Sequence, residues 1–504
     1  MPLPRVFPTV VHMLGEAAAR APRREALAMG GERLTYEEYA RCAAGLAAEL
    51  KALGAAGQRV AFVLGNSPDI CIAYFGAHAA GAQAVPLNPL YTARELEQML
   101  GDAAPVAVFY EAAVAAAVEP VAAKLGIPHR WLVGGGGRRL TAWRNEAGLE
   151  GELPLPDPDS LATLQFTGGT TGRAKGVNLT HRAYAMNISQ REALMPSRPD
   201  VERILCVMPL FHVYASHVCL HTAAYARGTL AILPRYHPEE TVSALARERI
   251  TIFAGAPTIY TSLLGYEGFA RADLASLHYS VSGSAALPAT VLAHWEARAG
   301  TPIVEGYGQS EAGPVLTYNP LHGVRKPGSV GVPVPDTEVQ IVDLESGARV
   351  LGPGEKGEIR ARGPQVMQGY RNLPKETAET LRGGWLYTGD IGEFDADGYL
   401  YIRDRKKEMV IVSGYNVFPR EIEIVLYQHP AVREAGVIGA PDSYRGEIVK
   451  AYVSLKPGAA ATADDLLAHC KANLAKYKIP SALEIVADLP KTAVGKIDKK
   501  QLKA

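Results

Sequence analysis

The sequence carries no excess of either charge: 52 Lys and Arg offset 52 Asp and Glu over 504 residues. That balance gives no electrostatic reason for nucleic acid as a main partner. Cysteine is scarce, and its five positions (Cys42, Cys71, Cys206, Cys219, Cys470) show no C-x-x-C spacing. A disulfide framework is therefore not expected, and the pattern fits reduced core thiols in a cytoplasmic protein. Long apolar runs are missing as well. The longest, roughly 70–87, is broken by His78, Gln83 and Pro86, so it predicts a helix passing into a strand rather than a membrane span. The opening MPLPRVFPTV lacks the basic region and sustained apolar run of a secretory leader. No internal repeat is evident. At 21% charged and 48% hydrophobic residues, the composition gives no basis for large-scale disorder. The length exceeds one core and predicts at least two domains.

What is present alternates between two periods. Thr35-Tyr36-Glu37-Glu38 is a capping box, followed at helical spacing by Tyr39, Cys42, Ala43, Leu46, Leu50 and Leu53, with Gly54 placed to close the helix. Residues 60–64 read as a buried strand, and Ser67-Pro68 restarts a helix. Thr92-Ala93-Arg94-Glu95 is a second capping box, and 106–110 a second strand. Such alternation predicts an α/β fold with parallel sheets covered by helices. Gly134 to Gly137 and the Pro-rich 153–158 read as connections without chemistry. From about 328 to 363 short strands between Gly/Pro turns predict a small β subdomain. The charged run Arg403–Glu408 marks a boundary, and the remainder, with a helix from Thr462, predicts a small α+β domain.

After the apolar strand 164–167 comes Gly168-Gly169-Thr170-Thr171-Gly172-Arg173-Ala174-Lys175-Gly176. Glycines let backbone N–H groups crowd a phosphate, the threonine hydroxyls add donors, and Lys175 adds a point charge. A nucleoside triphosphate is the natural guest. The spacing is not that of an ordinary P-loop, because Gly172 and Lys175 are separated by two residues and Gly176 follows the lysine. Four further segments offer chemistry that a plain structural role would also explain. Tyr307-Gly308-Gln309-Ser310-Glu311 supplies an aromatic face for a purine and an oxygen ligand for Mg²⁺, or a hydrogen-bonded turn. It is not a hydrolase elbow, since Gly308-Gln309-Ser310-Glu311-Ala312-Gly313 has one residue too many. Asp390, placed after a strand over 385–388 and Gly389, offers a carboxylate able to accept both hydroxyls of a ribose. Ser282 to Leu287 is small enough to serve as a close-packed turn. His212 stands in the largely apolar run Pro209-Leu210-Phe211-His212-Val213-Tyr214, where a satisfied core histidine would do as well.

Residues 164–181, LQFTGGTTGRAKGVNLTH, resemble the phosphate loop of the adenylate-forming superfamily. That superfamily includes acyl-CoA synthetases, firefly luciferase and peptide-synthetase adenylation domains. The similarity runs over nearly the whole chain and looks nearest to bacterial medium- and long-chain fatty-acid–CoA ligases. The resemblance implies a large N-terminal domain over 1–405, a hinge at 406–407 and a small mobile domain over 408–504. It assigns Thr167 to Gly172 (Thr167, Gly168, Gly169, Thr170, Thr171, Gly172) and Lys175 to ATP phosphates, with Thr171 and Glu311 helping to place Mg²⁺. Ser284, Ala285, Ala286, Tyr307, Gly308 and Ser310 would surround the adenine, and Asp390 with Arg405 would hold the ribose. Ser310 stands where many relatives have Thr, which keeps the hydroxyl. Lys407 becomes the hinge residue, Gly414 flanks a pantetheine tunnel for coenzyme A, and Arg445 is a weaker contact for its phosphates. Lys496, in Leu489-Pro490-Lys491-Thr492-Ala493-Val494-Gly495-Lys496, would neutralise carboxylate and α-phosphate as they meet. His212, Tyr214 and Gly255 would line the acyl pocket. The expected activity is ligation of a fatty acid to coenzyme A through an acyl-adenylate. An aryl or short-chain acid, and an acyl-AMP ligase that loads a carrier protein, remain alternatives. A homodimer and peripheral membrane association are left open.

Overall fold

The computed structural model describes residues 2–146, 152–167, 174–413, 415–442, 444–492 and 495–502. Two large mixed sheets carry the N-terminal part. In the nine-stranded sheet the order is 332–333, 315–318, 303–308, 279–282, 252–255, 203–206, 229–232, 25–29 and 32–35. Its interior strands pair in parallel, while antiparallel strands close both edges. The seven-stranded sheet runs 369–370, 175–180, 161–167, 83–86, 59–63, 107–111 and 129–133. Helices between them supply the shared core, as fully buried parallel strands require.

The N-terminal expectations hold in detail. Tyr36–Ala52 is a helix with both arms of the Thr35/Glu38 capping box made, and Gly54 follows at φ +73°. Pro68–Ala79 is a helix capped by Ser67, and its apolar run continues into the strand Gln83–Pro86. The whole of that helix is buried, which is why its sequence shows no polar face. Ala93–Ala103 carries the second capping box, from Thr92 and Glu95. All five cysteines are free and buried.

The β subdomain is larger than the 328–363 expected. Strands Glu338–Val342 and Gly357–Arg362 are joined by Leu381–Arg382, Trp385–Phe394 and Leu400–Arg405 in one antiparallel sheet. The Gly/Pro punctuation that flagged it stops well before the sheet does. Residues 406–408 turn out of this sheet, and a second small sheet follows, with Val410–Val412, Tyr415–Val417, Val432–Asp442, Gly446–Leu455 and Ala482–Ile485. Helices Pro419–Gln428 and Ala463–Asn473 pack on it, the latter capped by Thr462 with Asp465 as the reciprocal partner.

Candidate active site

Four neighbouring parallel strands of the nine-stranded sheet end on the same side, and each ends in a candidate residue or is followed by one. After Arg203–Cys206 comes His212, and Ile252–Gly255 ends in the candidate Gly255. Tyr279–Ser282 leads to Ser284, and Ile303–Gly308 to Glu311. Crevices at the carboxyl ends of parallel strands are the usual ligand sites of α/β sheets.

The adenine-type segment is fixed by a buried acid. Glu305 accepts the Leu287 amide at 3.0 Å, tying the 283–287 loop to the strand that carries Tyr307. Burial pushes the Glu305 carboxyl up to about 7, against the pull of that amide and of Arg420. Within the loop Ser284 takes φ +71°, Ser284 and Ala286 are half-buried, and Ala285 is exposed. Gly308 is there for contact rather than flexibility: a Cβ would lie 1.8 Å from the Pro314 carbonyl oxygen. Ser310 and Glu311 then form a single 3-10 turn.

Asp390 lies inside the strand Trp385–Phe394, not after its end as expected, because the strand continues through Gly389. This placement puts it directly opposite Arg405 in the antiparallel register. Arg405 Nε stands 3.5 Å from Asp390 Oδ1, and the Tyr307 hydroxyl donates to Asp390 Oδ2 at 2.6 Å. Burial raises the Asp390 carboxyl above its ordinary pKa, while Arg405, the Tyr307 hydroxyl and Lys496 pull it back. Tyr307, Asp390 and Arg405 thus form one connected unit.

Of the phosphate-type loop, Gly168, Gly169, Thr170, Thr171, Gly172 and Arg173 lie outside the described residues. Its stem is an antiparallel hairpin in which Thr167 faces Lys175. Lys175 Nζ sits 4.6 Å over the Tyr370 ring, and the Tyr370 hydroxyl donates to Glu311 Oε1 at 2.7 Å. Burial and the Glu311 charge push Tyr370 up in pKa, so it remains a neutral donor. Sequence reasoning missed Tyr370. It reaches the site because Gly369–Tyr370 pairs with Val177 and Asn178, a long-range register with no local signal.

Lys496 comes from the far end of the chain into this group. Its ammonium is lowered to about 8, first by burial and then by Arg405, with Asp390 and Glu408 acting in the opposite sense. The same charge acts on His212, which burial and Lys496 together lower to about 3. His212 Nδ1 accepts the Tyr214 amide at 3.2 Å, so the neutral ring carries its proton on Nε2. Tyr214 in turn sends its hydroxyl to the Val281 carbonyl at 3.1 Å and approaches that of Gly255 at 3.5 Å. His212, Tyr214 and Gly255 therefore make one contiguous wall. Lys407 lies exposed in the turn after Arg405. Gly414 is outside the described residues; the strands before and after it in sequence, Val410–Val412 and Tyr415–Val417, pair antiparallel. Arg445 caps no part of this group; its amide donates to Asp442 and its carbonyl accepts from Ser413.

The chain matches the family model for AMP-binding enzyme over residues 14–371 and that for AMP-binding enzyme C-terminal domain over 421–496. It is 40% identical to a long-chain-fatty-acid–CoA ligase of Bacillus subtilis, covering 100% of this chain and 95% of that one. Among solved structures, ATP-bound MatB from Rhodopseudomonas palustris superposes with a TM-score of 0.91 at 32% identity, covering 98% of each chain. Apo MatB from the same organism gives 0.81 over the same coverage. The anthranilate–CoA ligase AuaEII with anthranoyl-AMP also gives 0.91, at 29% identity, covering 100% of this chain and 97% of that one. With both family models matched in order and full-length relatives at this identity, the chain belongs to the AMP-binding enzyme family.

Proposed function

We propose that this AMP-forming acyl-CoA synthetase acts on medium- or long-chain fatty acids, with the residues above in the following roles. The acid carboxylate attacks the α-phosphorus of ATP, pyrophosphate leaves, and the acyl-adenylate is then cleaved by the thiol of coenzyme A with AMP departing. Tyr307, Gly308, Ser310 and the 284–286 loop enclose the adenine, and Asp390 with Arg405 takes the ribose. The 167–175 hairpin, through Lys175, holds the β- and γ-phosphates. The observation that carries the reading is the convergence of Lys496 on Asp390, Arg405 and His212 from the opposite end of the chain. A cation delivered there offsets two anions that must meet in a site sheltered from water.

Glu311 fits Mg²⁺. Its Oε1 is oriented by Tyr370, a carboxylate retains further acceptor sites, and Mg²⁺ held through one carboxylate and substrate phosphates needs no all-protein cage. When bound with Thr171 as a second ligand, the ion would neutralise phosphate charge. His212, lowered to about 3, serves as wall and not as base.

The second half-reaction needs Lys496 withdrawn and the Gly414 turn brought in. Lys406 belongs to the large domain: Nζ pairs with buried Glu358 at 2.8 Å and its amide donates to Gly389 at 2.9 Å. Rotation of 408–504 therefore pivots at the next residue, Lys407, which can absorb a φ/ψ change in an exposed turn. The higher likeness to ATP-bound than to apo MatB supports reading this arrangement as the adenylating one.

The substrate class is tested by acid-dependent pyrophosphate release across straight-chain acids of graded length, with aryl acids alongside and with coenzyme A or a carrier protein as acceptor. Each methylene buried contributes about 0.8 kcal/mol, so kcat/KM is expected to rise about fourfold per added methylene until the pocket ends. A flat response with preference for aryl acids would select the aryl alternative. A pH prediction also follows. Lys496 works as the ammonium, which is lost as pH rises through about 8. Adenylation kcat/KM is expected to fall above that pH, while kcat falls only at higher pH because bound phosphates favour the cation. Conversion of supplied acyl-adenylate to thioester is expected to lack this limb.

A further inference from the structure

Thr492, Gly495 and Lys496 are bonded to one another, and Gly495 is fastened to the large domain. Lys491 and Ile497, which flank them, pair antiparallel. Thr492 N donates to the Lys496 carbonyl at 2.7 Å, Gly495 N to the Thr492 carbonyl at 2.9 Å, and Lys496 N to Thr492 Oγ1 at 3.2 Å. Residues bonded in this way move together, so holding Gly495 holds the root of the adjacent Lys496 side chain. The Gly495 carbonyl accepts a hydrogen bond from Thr258 Oγ1 at 3.0 Å. Thr258 is half-buried in the first turn of the helix Pro257–Leu264, three residues past the strand end at Gly255. Gly495 itself has φ +77°, and a Cβ would lie 2.8 Å from Thr258 Oγ1 and 3.7 Å from the Ala256 methyl. Both the backbone conformation and the closeness of the contact require glycine there.

We propose that Thr258 is a positioning residue for adenylation: its hydroxyl clasps the Gly495 carbonyl and thereby sets Lys496 over the reacting groups. The inference rests on the role given above to Lys496. Because the clasp joins the large domain to the rotating one, it exists in the adenylating arrangement and is broken before the thiol attacks. Its loss therefore slows the first half-reaction and leaves the second untouched.

The test uses full-length protein carrying Thr258→Val, which keeps the shape and removes the donor, and Thr258→Ser, which keeps the donor. Measured are kcat and acid KM for acid-dependent pyrophosphate release, the rate of thioester formation from pre-made acyl-AMP and coenzyme A, and the thermal midpoint. For Thr258→Val the adenylation kcat is expected to fall, by about 5-fold if only the hydrogen bond is lost and up to about 100-fold if Lys496 shifts by 1 Å. Acid KM and thioester formation are expected to stay at wild-type values, and Thr258→Ser to restore adenylation. Gly495→Ala is expected to reproduce the adenylation defect from the other side of the contact, and the double variant to be less impaired than the product of the two singles. The proposal is overturned if Thr258→Val leaves adenylation kcat unchanged while Lys496→Ala removes it. A rise in acid KM alone also overturns it, because Thr258 is then a pocket residue, as does equal slowing of both half-reactions. If Lys496→Ala itself spares adenylation, the reading of Lys496 fails, whatever Thr258 does.

Discussion

Lys496→Ala is expected to slow acid-dependent pyrophosphate release by about 10²–10³, the usual effect of losing one preorganised charge contact. Thioester formation from supplied acyl-adenylate and coenzyme A is expected to run at close to the wild-type rate. The asymmetry follows from where the lysine comes from. It enters the site from the segment beyond Lys407, within the field of Asp390, Arg405 and Glu408, and the proposed rotation that admits the thiol removes it. No side chain in the large domain substitutes for it among those described: Arg405 is committed to Asp390, and Lys175 lies over Tyr370 beside Glu311. The check is a paired assay of the two half-reactions on the same preparation. Equal losses in both would contradict the division of labour.

Asp390→Asn is expected to behave differently, weakening both half-reactions. The ribose is bound in ATP and in acyl-adenylate alike, so its ligand matters in each. Hydrogen bonds to a charged acceptor contribute about 1.5–3 kcal/mol, so the loss of the charge is expected to raise KM for ATP and for acyl-adenylate by about 10- to 100-fold. The variant also releases Arg405 from its cross-strand partner and weakens the acceptor for the Tyr307 hydroxyl. Stability is expected to move the other way or not at all. Burial raises this carboxyl's folded-state pKa, so above the unfolded value of about 4 its ionisation opposes folding, and a neutral amide removes that cost. Steady-state kinetics with a thermal melt separates the two effects. A wild-type KM for ATP in Asp390→Asn would remove Asp390 from the ribose site.

How far the sequence reached depends on whether a signal was local. Capping boxes at Thr35 and Thr92 lie within four residues each and emerged where expected, as did the helix starting at Thr462. So did the passage from helix to strand across 68–86, because proline, serine and glycine mark its ends. Asp390 and Arg405 were each recognisable as candidates, but their pairing is a matter of antiparallel register within a strand expected to stop earlier. Tyr370 carried no signal, and nothing local tied Thr258 to Lys496. One is positioned by a two-residue edge strand against Val177, the other by a contact with Gly495 from the opposite end of the chain. Lys407 could not be told from Lys406 in a run of charges. The ion pair from Lys406 to buried Glu358 is the ground for proposing Lys407 as the pivot, and only folding brings Glu358 there.

The central claim is that the carboxylate itself attacks the α-phosphorus, and isotope transfer tests it most directly. With ATP, coenzyme A and a fatty acid labelled with ¹⁸O in both carboxylate oxygens, one labelled oxygen becomes the bridge of the acyl-adenylate and leaves with AMP. The account predicts one ¹⁸O in the phosphoryl group of each AMP, formed with one pyrophosphate and one thioester. Label in inorganic phosphate with ADP as co-product, or AMP that carries no label, would contradict it.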